Sequence, residues 1–281
     1  MSTSARSGQV ELEQAFARER ERMYRRLLSR RVRSMDEAAR FVDTVGFSLL
    51  FASTQGVELP SLFEAIKGKR NMHIEDWDAD ADRLWAWKNE LPAAKRAYYG
   101  KALAGGRPAL VSLKMFPYLY AQSALEDVEA DYFRGRVSYE AKRVYDALRS
   151  LGPTPTMALR RAAGFDRPGD SQRYHHALDE LQRNLVIAPV GATIETGAWA
   201  SQIFELVARW FPRQVERAQR IEAQAARRAL AKRYLQTVHA AQPTMLTRVF
   251  GWSHEQAKDT LADLLSRGAA KKKGDWFLYH E

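Results

Sequence analysis

The triplet Pro-Thr-Met occurs at Pro155–Met157 and again at Pro243–Met245, an offset of 88 residues, and its surroundings recur with it. The first copy continues through Leu159, Arg160 and Arg161 to Gly164-Phe165. The second continues through Leu246 and Arg248 to Gly251-Trp252, one residue shorter before its glycine. An amphipathic stretch precedes each copy, Tyr139–Ser150 in one and Ala226–His239 in the other. A helical pattern follows each, Ser171–Asn184 and Ser253–Ser266. Each then runs into residues of β character, Leu185–Val190 in the first and Ala269-Ala270 with Trp276–Tyr279 in the second. A repeat of this kind means one supersecondary unit used more than once.

The order helix, turn, short helix, turn, helix, β-hairpin is that of a winged helix-turn-helix. The fold class expected is therefore mainly α with small β-hairpins, built from tandem winged helix-turn-helix domains. In such a unit the third helix enters the major groove and the wing touches the backbone. Thr156 and Ser253 are expected to cap the second and third helices of their copies. Lys271-Lys272-Lys273-Gly274-Asp275 reads as a wing tip, with Gly-Asp making the turn. Winged helices also serve as protein–protein modules, so the pattern alone leaves both uses open.

Upstream, residues 1–8 read as disordered and Gln9–Arg33 as a long exposed helix, basic on one face. Ser34-Met35-Asp36-Glu37 is a capping box opening a helix to Val45, which stops at Gly46. Gly46–Ala52 reads as a buried strand or apolar turn. Pro60 is expected to start a helix that ends at Gly68. Asp78, Asp80 and Asp82 open another, which Leu91-Pro92 should break. Ala93–Leu103 reads as a further helix, Leu110–Leu113 as a strand, and Tyr118–Ser123 as a helix. The divisions expected are a basic helix at 1–33, a first winged-helix-like region with an aromatic cleft at 34–136, a second winged helix at 137–206, and a linking helix with a third at 207–281.

Charge is uneven along the chain. Residues 1–33 carry nine basic and four acidic groups, residues 34–100 eight and eleven, residues 101–206 thirteen and twelve, and residues 207–281 fourteen and seven. The net +10 thus lies at the two ends of the chain, the footprint a polyanion would leave. Phosphate contacts are expected from Arg160, Arg161, Arg173, Arg248, Lys258, Lys271, Lys272 and Lys273. The implied partner is double-stranded DNA. The longest apolar runs are too short to span a bilayer and the first residues are polar, so no membrane is expected and the location expected is cytoplasmic.

Most catalytic signatures are absent. No cysteine exists to form a disulfide, a thiol nucleophile or a cysteine-ligated metal site. No phosphate-cradling glycine loop follows the Walker pattern, and no nucleophile elbow occurs. His175 and His176 are adjacent, so they face different sides of a helix and cannot share a metal; no metal and no cofactor is expected. What stands out is an aromatic density: Trp85, Trp87, Tyr98, Tyr99, Phe116, Tyr118 and Tyr120, with Glu58, Asp76, Lys88 and Glu90 nearby. Aromatics with a few charges suit a base-stacking cleft, for which Trp85, Trp87 and Lys88 are the candidates, although for any single residue a packed aromatic core with snorkelling charges is the favoured reading.

Several stretches in this order resemble the AlkZ-type (YcaQ-like) DNA glycosylases: Phe41-Val42-Asp43-Thr44-Val45-Gly46-Phe47, Gly56-Val57-Glu58-Leu59-Pro60-Ser61-Leu62, Trp85-Ala86-Trp87-Lys88, and Ala162-Ala163-Gly164-Phe165. The resemblance spans about residues 34–281. It implies tandem winged helices forming a concave DNA-binding surface, and excision of alkylated or cross-linked purines. It also implies a Gln-x-Gln or Gln-x-Asp signature on an early β-segment that positions a water, and this chain has neither. Placed at Phe41-Val42-Asp43 the signature retains Asp43 alone; placed at Ser48-Leu49-Leu50 it retains nothing. Asp43 or Glu58 would have to supply the carboxylate of a rearranged site. Three readings follow: a DNA binder without catalysis, a divergent glycosylase, or an interaction scaffold docked through the N-terminal helix.

Overall fold

The computed structural model describes residues 16–53, 56–70, 74, 76–123, 125, 127–193 and 200–280. The expectations for residues 1–8 and for the start of the helix from Gln9 lie outside them. The chain is mainly helical with small antiparallel sheets. One succession of elements occurs three times: helix, strand, helix, helix, β-hairpin. The first unit contains α2 (Met35–Val45), β1 (Phe47–Leu49), α3 (Leu62–Lys67), α4 (Ala79–Ala93), β2 (Tyr98–Leu103) and β3 (Arg107–Val111). After α5 (Phe116–Ser123) and α6 (Val128–Phe133) comes the second, with α7 (Tyr139–Leu151), β4 (Thr154–Pro155), α8 (Thr156–Ala162), α9 (Asp170–Arg183), β5 (Ile187–Thr193) and β6 (Ser201–Leu206). After α10 (Val207–Trp210) and α11 (Pro212–Ala218) the third follows, with α12 (Ala223–Val238), β7 (Ala240–Ala241), α13 (Pro243–Phe250), α14 (His254–Ser266), β8 (Ala270–Lys273) and β9 (Trp276–Tyr279). In every unit the third strand lies between the first and second.

The first sheet is the joint of the molecule. Its side chains alternate by the period of two that a pleated strand imposes. Phe47, Leu49, Tyr98, Ala109 and Val111 point to one face and pack with Leu230, Tyr234, Leu246 and Phe250 of the third unit. Leu50, Tyr99 and Leu110 point to the other and pack with Phe41, Val42, Phe63, Leu84 and Leu91 of α2, α3 and α4. The rings of Phe47 and Phe250 meet edge-on at 5.5 Å, and Ala104 N–H donates to the Val249 carbonyl at 2.7 Å. The second unit keeps its own core around Val144, Leu148, Phe165, Tyr174 and Phe204.

Several local expectations change here. Ala93–Leu103 is not a helix: α4 continues through Pro92 to Ala93, and Tyr98–Leu103 is β2. Pro92 sits in the last turn of α4, where the proline comes too late to break the helix. Tyr98 and Tyr99 are both buried, because the sheet is covered on both faces, so the apolar run shows no alternation to read as a strand. The helix at residues 16–23 (α1) ends ten residues early, and Arg25 turns the chain with φ +58°. Tyr24, Arg26 and Val32 are buried, so this stretch packs rather than standing in solvent.

Ser34 caps α2 by accepting from Glu37 N–H, but Glu37 reaches back to Arg33 N–H, one residue beyond the cap. Pro60 does not begin α3; its carbonyl accepts from Leu49 N–H, and Ser61 is the cap. Thr156 does not cap α8. Its hydroxyl donates to the Gln202 carbonyl at 2.8 Å, tying the helix to β6. No helix among the described residues is long and apolar enough to cross a membrane.

Candidate nucleic-acid interface

α14 begins with a complete capping box. Ser253 Oγ accepts from Gln256 N–H at 3.1 Å, and Gln256 Oε1 accepts from Ser253 N–H at 3.0 Å. That fixes the first turn and sets His254 and Lys258, four apart, on one exposed face. Beside it, β8 and β9 meet at the two-residue turn Gly274-Asp275, where Gly274 takes φ +58° as a tight hairpin requires. Lys271, Lys272 and Lys273 are exposed along β8. Between helix and hairpin lies a cavity of about 340 Å³ lined by Thr244, His254, Lys258, Lys272 and Phe277. The Lys272 ammonium stands 5.7 Å over the Phe277 ring. Among the described residues none of these four lysines is in an ion pair. They are free to meet a polyanion.

The arginines of the second unit are otherwise engaged. Arg173 donates from Nε and Nη2 to Glu140 Oε1 at 3.2 and 2.6 Å. Arg160 Nε donates to the Phe165 carbonyl at 2.8 Å and closes its own turn. Arg161 is exposed. Arg248 on α13 is exposed and donates to the Gly56 carbonyl at 3.3 Å. α9, the counterpart of α14, packs against β2 of the first unit and is pinned there by Lys101 on Asp179. Only α14 of the pair keeps its outer face clear of another unit.

The segment that would carry a water-positioning signature is β1, since Phe41-Val42-Asp43 lies in α2. Phe47, Ser48 and Leu49 are all buried, and the Ser48 hydroxyl donates to its neighbours' carbonyls of Leu49 and Pro60. No side chain of β1 reaches solvent. Asp43 accepts from Ser112 Oγ at 2.8 Å and pairs with Lys114 Nζ at 2.9 Å, so it anchors the turn after β3. Glu58 lies on the segment before α3. Burial raises the Tyr24 and Tyr234 phenols, and the Glu58 carboxylate raises both further. Neither phenol has a hydrogen-bond partner among the described residues. The sequence offered one signal for this group: Tyr24 is an aromatic amid arginines.

Trp85, Trp87 and Lys88 share α4 but not one environment. Trp87 is 8% exposed and belongs to the α2–α4 core. Trp85 is half-buried, its ring 5.6 Å from that of Trp77, which is exposed. Lys88 is 5% exposed, with Nζ 4.3 Å over Trp85, 5.9 Å over Tyr99 and 3.0 Å from Asn89 Oδ1. Burial without a carboxylate partner brings its ammonium down to about 8. Tyr98 and Phe116 stack at 4.6 Å inside the joint, so most of the aromatic density is core. No group of three or more metal-ligating side chains occurs among the described residues.

Against known proteins, the family model described as AlkZ related matches residues 32–251. No curated protein matches in sequence. Among solved structures, the Streptomyces sahachiroi DNA glycosylase AlkZ is similar in fold, with a TM-score of 0.54 and 15% identity, covering 92% of this chain and 69% of that one.

Proposed function

The chain belongs to the AlkZ-related family, and from that premise we propose that it is a double-stranded DNA-binding protein whose three repeated units are winged helices. The observation that carries the reading is the unpaired cation face of the third unit. Lys258 on α14 and Lys272 on the hairpin line one cavity with Asp275, and Lys271 and Lys273 are exposed on the same strand as Lys272, where a recognition helix and a wing would straddle a groove. Contacts of this kind go to phosphates and supply affinity without sequence readout. Arg161 and Arg248, both exposed, and Arg173, once it exchanges Glu140 for a phosphate, are further candidate phosphate contacts.

The same reading makes the chain a binder rather than a base-excising enzyme. The S. sahachiroi protein is named a DNA glycosylase, but β1 of this chain presents Phe47, Ser48 and Leu49, all buried. One observation favours a second reading, a divergent glycosylase: two buried phenols, Tyr24 and Tyr234, have no hydrogen-bond partner among the described residues, and the Glu58 carboxylate opposes the ionisation of both. A single experiment separates them. Duplex binding is followed by fluorescence anisotropy at low salt, and release of N7-alkylated guanine by chromatography, with Asp43→Asn and Glu58→Gln variants alongside. Binding without release is expected. Release abolished by Glu58→Gln would install the second reading, and absence of any duplex binding at low salt would remove both.

A further inference from the structure

A second basic cavity, of about 380 Å³, lies far along the chain from the wing. It is framed by Arg22, Arg25 and Arg30 of the N-terminal segment, with Thr44 at the end of α2 and His239 just past α12. All three arginines are exposed, and among the described residues none of them is in an ion pair; Glu19 is the one carboxylate in the lining. Arg25 Nη1 donates to the Arg30 carbonyl at 3.3 Å, which draws the two ends of the turn together.

The backbone is bent to build this place. Of five non-glycine residues with left-handed φ among the described residues, Arg25 at +58° and His239 at +66° both line this cavity. Such conformations persist only where surrounding contacts impose them. Here the contacts are the buried Tyr24 ring beside Arg25, and Arg20 Nε donating to the Val238 carbonyl at 2.8 Å beside His239. The His239 ring stacks on Phe16 at 5.8 Å with an 11° tilt, and its buried Nε2 has no hydrogen-bond partner among the described residues. Burial holds this imidazole below its usual range. The charge of the cavity therefore belongs to the arginines.

We propose that this cavity binds a phosphate group. Guanidinium forks match phosphate oxygens two at a time, and three arginines line this cavity against a single carboxylate, Glu19, that none of them is paired with among the described residues. The phosphate is either a backbone phosphodiester of a DNA strand that also lies on the wing lysines, or that of a free nucleotide. The first source rests on the DNA-binding reading and the second does not.

The full chain decides between them. Inorganic phosphate, a mononucleotide and a short labelled duplex are each titrated into the native protein and into a variant carrying Arg22→Gln, Arg25→Asn and Arg30→Gln, asparagine being chosen because it tolerates left-handed φ. Arginine labelling by phenylglyoxal, read by mass spectrometry, is run on the native chain with and without each ligand, so the result does not depend on the variant folding. If the phosphate comes from DNA, the variant's salt slope is shallower by about one to two units, at about −0.9 per phosphate contact, and its duplex affinity falls about tenfold. Duplex also protects the three arginines. If the phosphate belongs to a free nucleotide, mononucleotide protects them and duplex binding is unchanged. Unprotected arginines with every ligand, together with an unchanged salt slope, overturn the proposal while leaving the wing reading intact. Protection by phosphate in a chain that binds no duplex would do the reverse.

Discussion

Arg26 donates from Nε and Nη2 to the same oxygen of Glu64, at 3.1 and 2.8 Å, in a site where Glu64 is fully buried. The guanidinium also lies 4.5 Å over the Tyr24 ring. This is the rivet between the N-terminal segment and α3, reinforced by Val32 N–H on the Ala65 carbonyl. Removing Arg26 strips the buried Glu64 carboxylate of its two guanidinium hydrogen bonds, so Arg26→Met is expected to destabilise the fold by about 3–5 kcal/mol. Arg26→Met with Glu64→Leu should recover most of that. Urea unfolding of both variants checks it. A single-variant loss below about 1 kcal/mol would mean that the pair is not buried in solution.

Gly46 ends α2 with φ +81°, and a Cβ placed there would sit 2.5 Å from Arg233 Cγ. α12 therefore approaches the end of α2 more closely than a side chain permits, and Thr237 Oγ donates to the Val45 carbonyl at 2.7 Å across the same contact. Gly46→Ala combines a left-handed alanine with a displaced Arg233, for an expected loss of about 2–3 kcal/mol. The thermal midpoint reports it, and an unshifted midpoint would contradict the close approach.

Lys88 makes stability depend on pH with a defined sign. Its folded ammonium titrates near 8, below the 10.5 of the unfolded chain. Between those values the unfolded state binds more protons, so this residue's contribution rises with pH across about 8 to 10.5. Below pH 8 the buried charge is a full penalty. Lys88→Met is therefore expected to be more stable than the native chain at pH 7, with the gap shrinking as pH climbs above 8. Denaturation midpoints of both proteins at pH 7, 8.5 and 10 test this. A gap independent of pH would mean that the ammonium is hydrated.

The wing makes the simplest demand. Replacing Lys271, Lys272 and Lys273 by alanine touches no ion pair and no buried contact beyond the Lys272–Phe277 approach. Thermal stability should stay within about 0.5 kcal/mol of native. The slope of log affinity for duplex against log salt should become shallower by up to about 2.7 units, at −0.9 for each phosphate lost. Anisotropy titrations at several salt concentrations measure both. An unchanged slope would take the wing off the DNA.

Ser253→Ala isolates the cap of α14. It removes one of the two bonds in the capping box and is expected to lose about 1 kcal/mol, with duplex affinity reduced through the frayed first turn rather than through lost charge. The salt slope should then stay native, which separates it from the lysine variant.

The sequence alone determined what neighbours along the chain decide. The Ser253 and Ser34 caps, the Gly274-Asp275 turn and the paired Pro-Thr-Met units are contests between backbone groups a few residues apart, and so they were legible. The strand at Tyr98–Leu103 was not, because its two covered faces come from α4 and from a unit more than a hundred residues on, and double burial erases the alternation that marks a strand. Charge behaved the same way. A count of cations located the basic ends, but Arg173 is taken by Glu140, 33 residues away, and Arg26 by Glu64, 38 away. Lys271, Lys272 and Lys273 are left unpaired among the described residues. Which positive groups remain for a polyanion is settled by what each meets across the fold, because an ion pair forms through space and not along the chain.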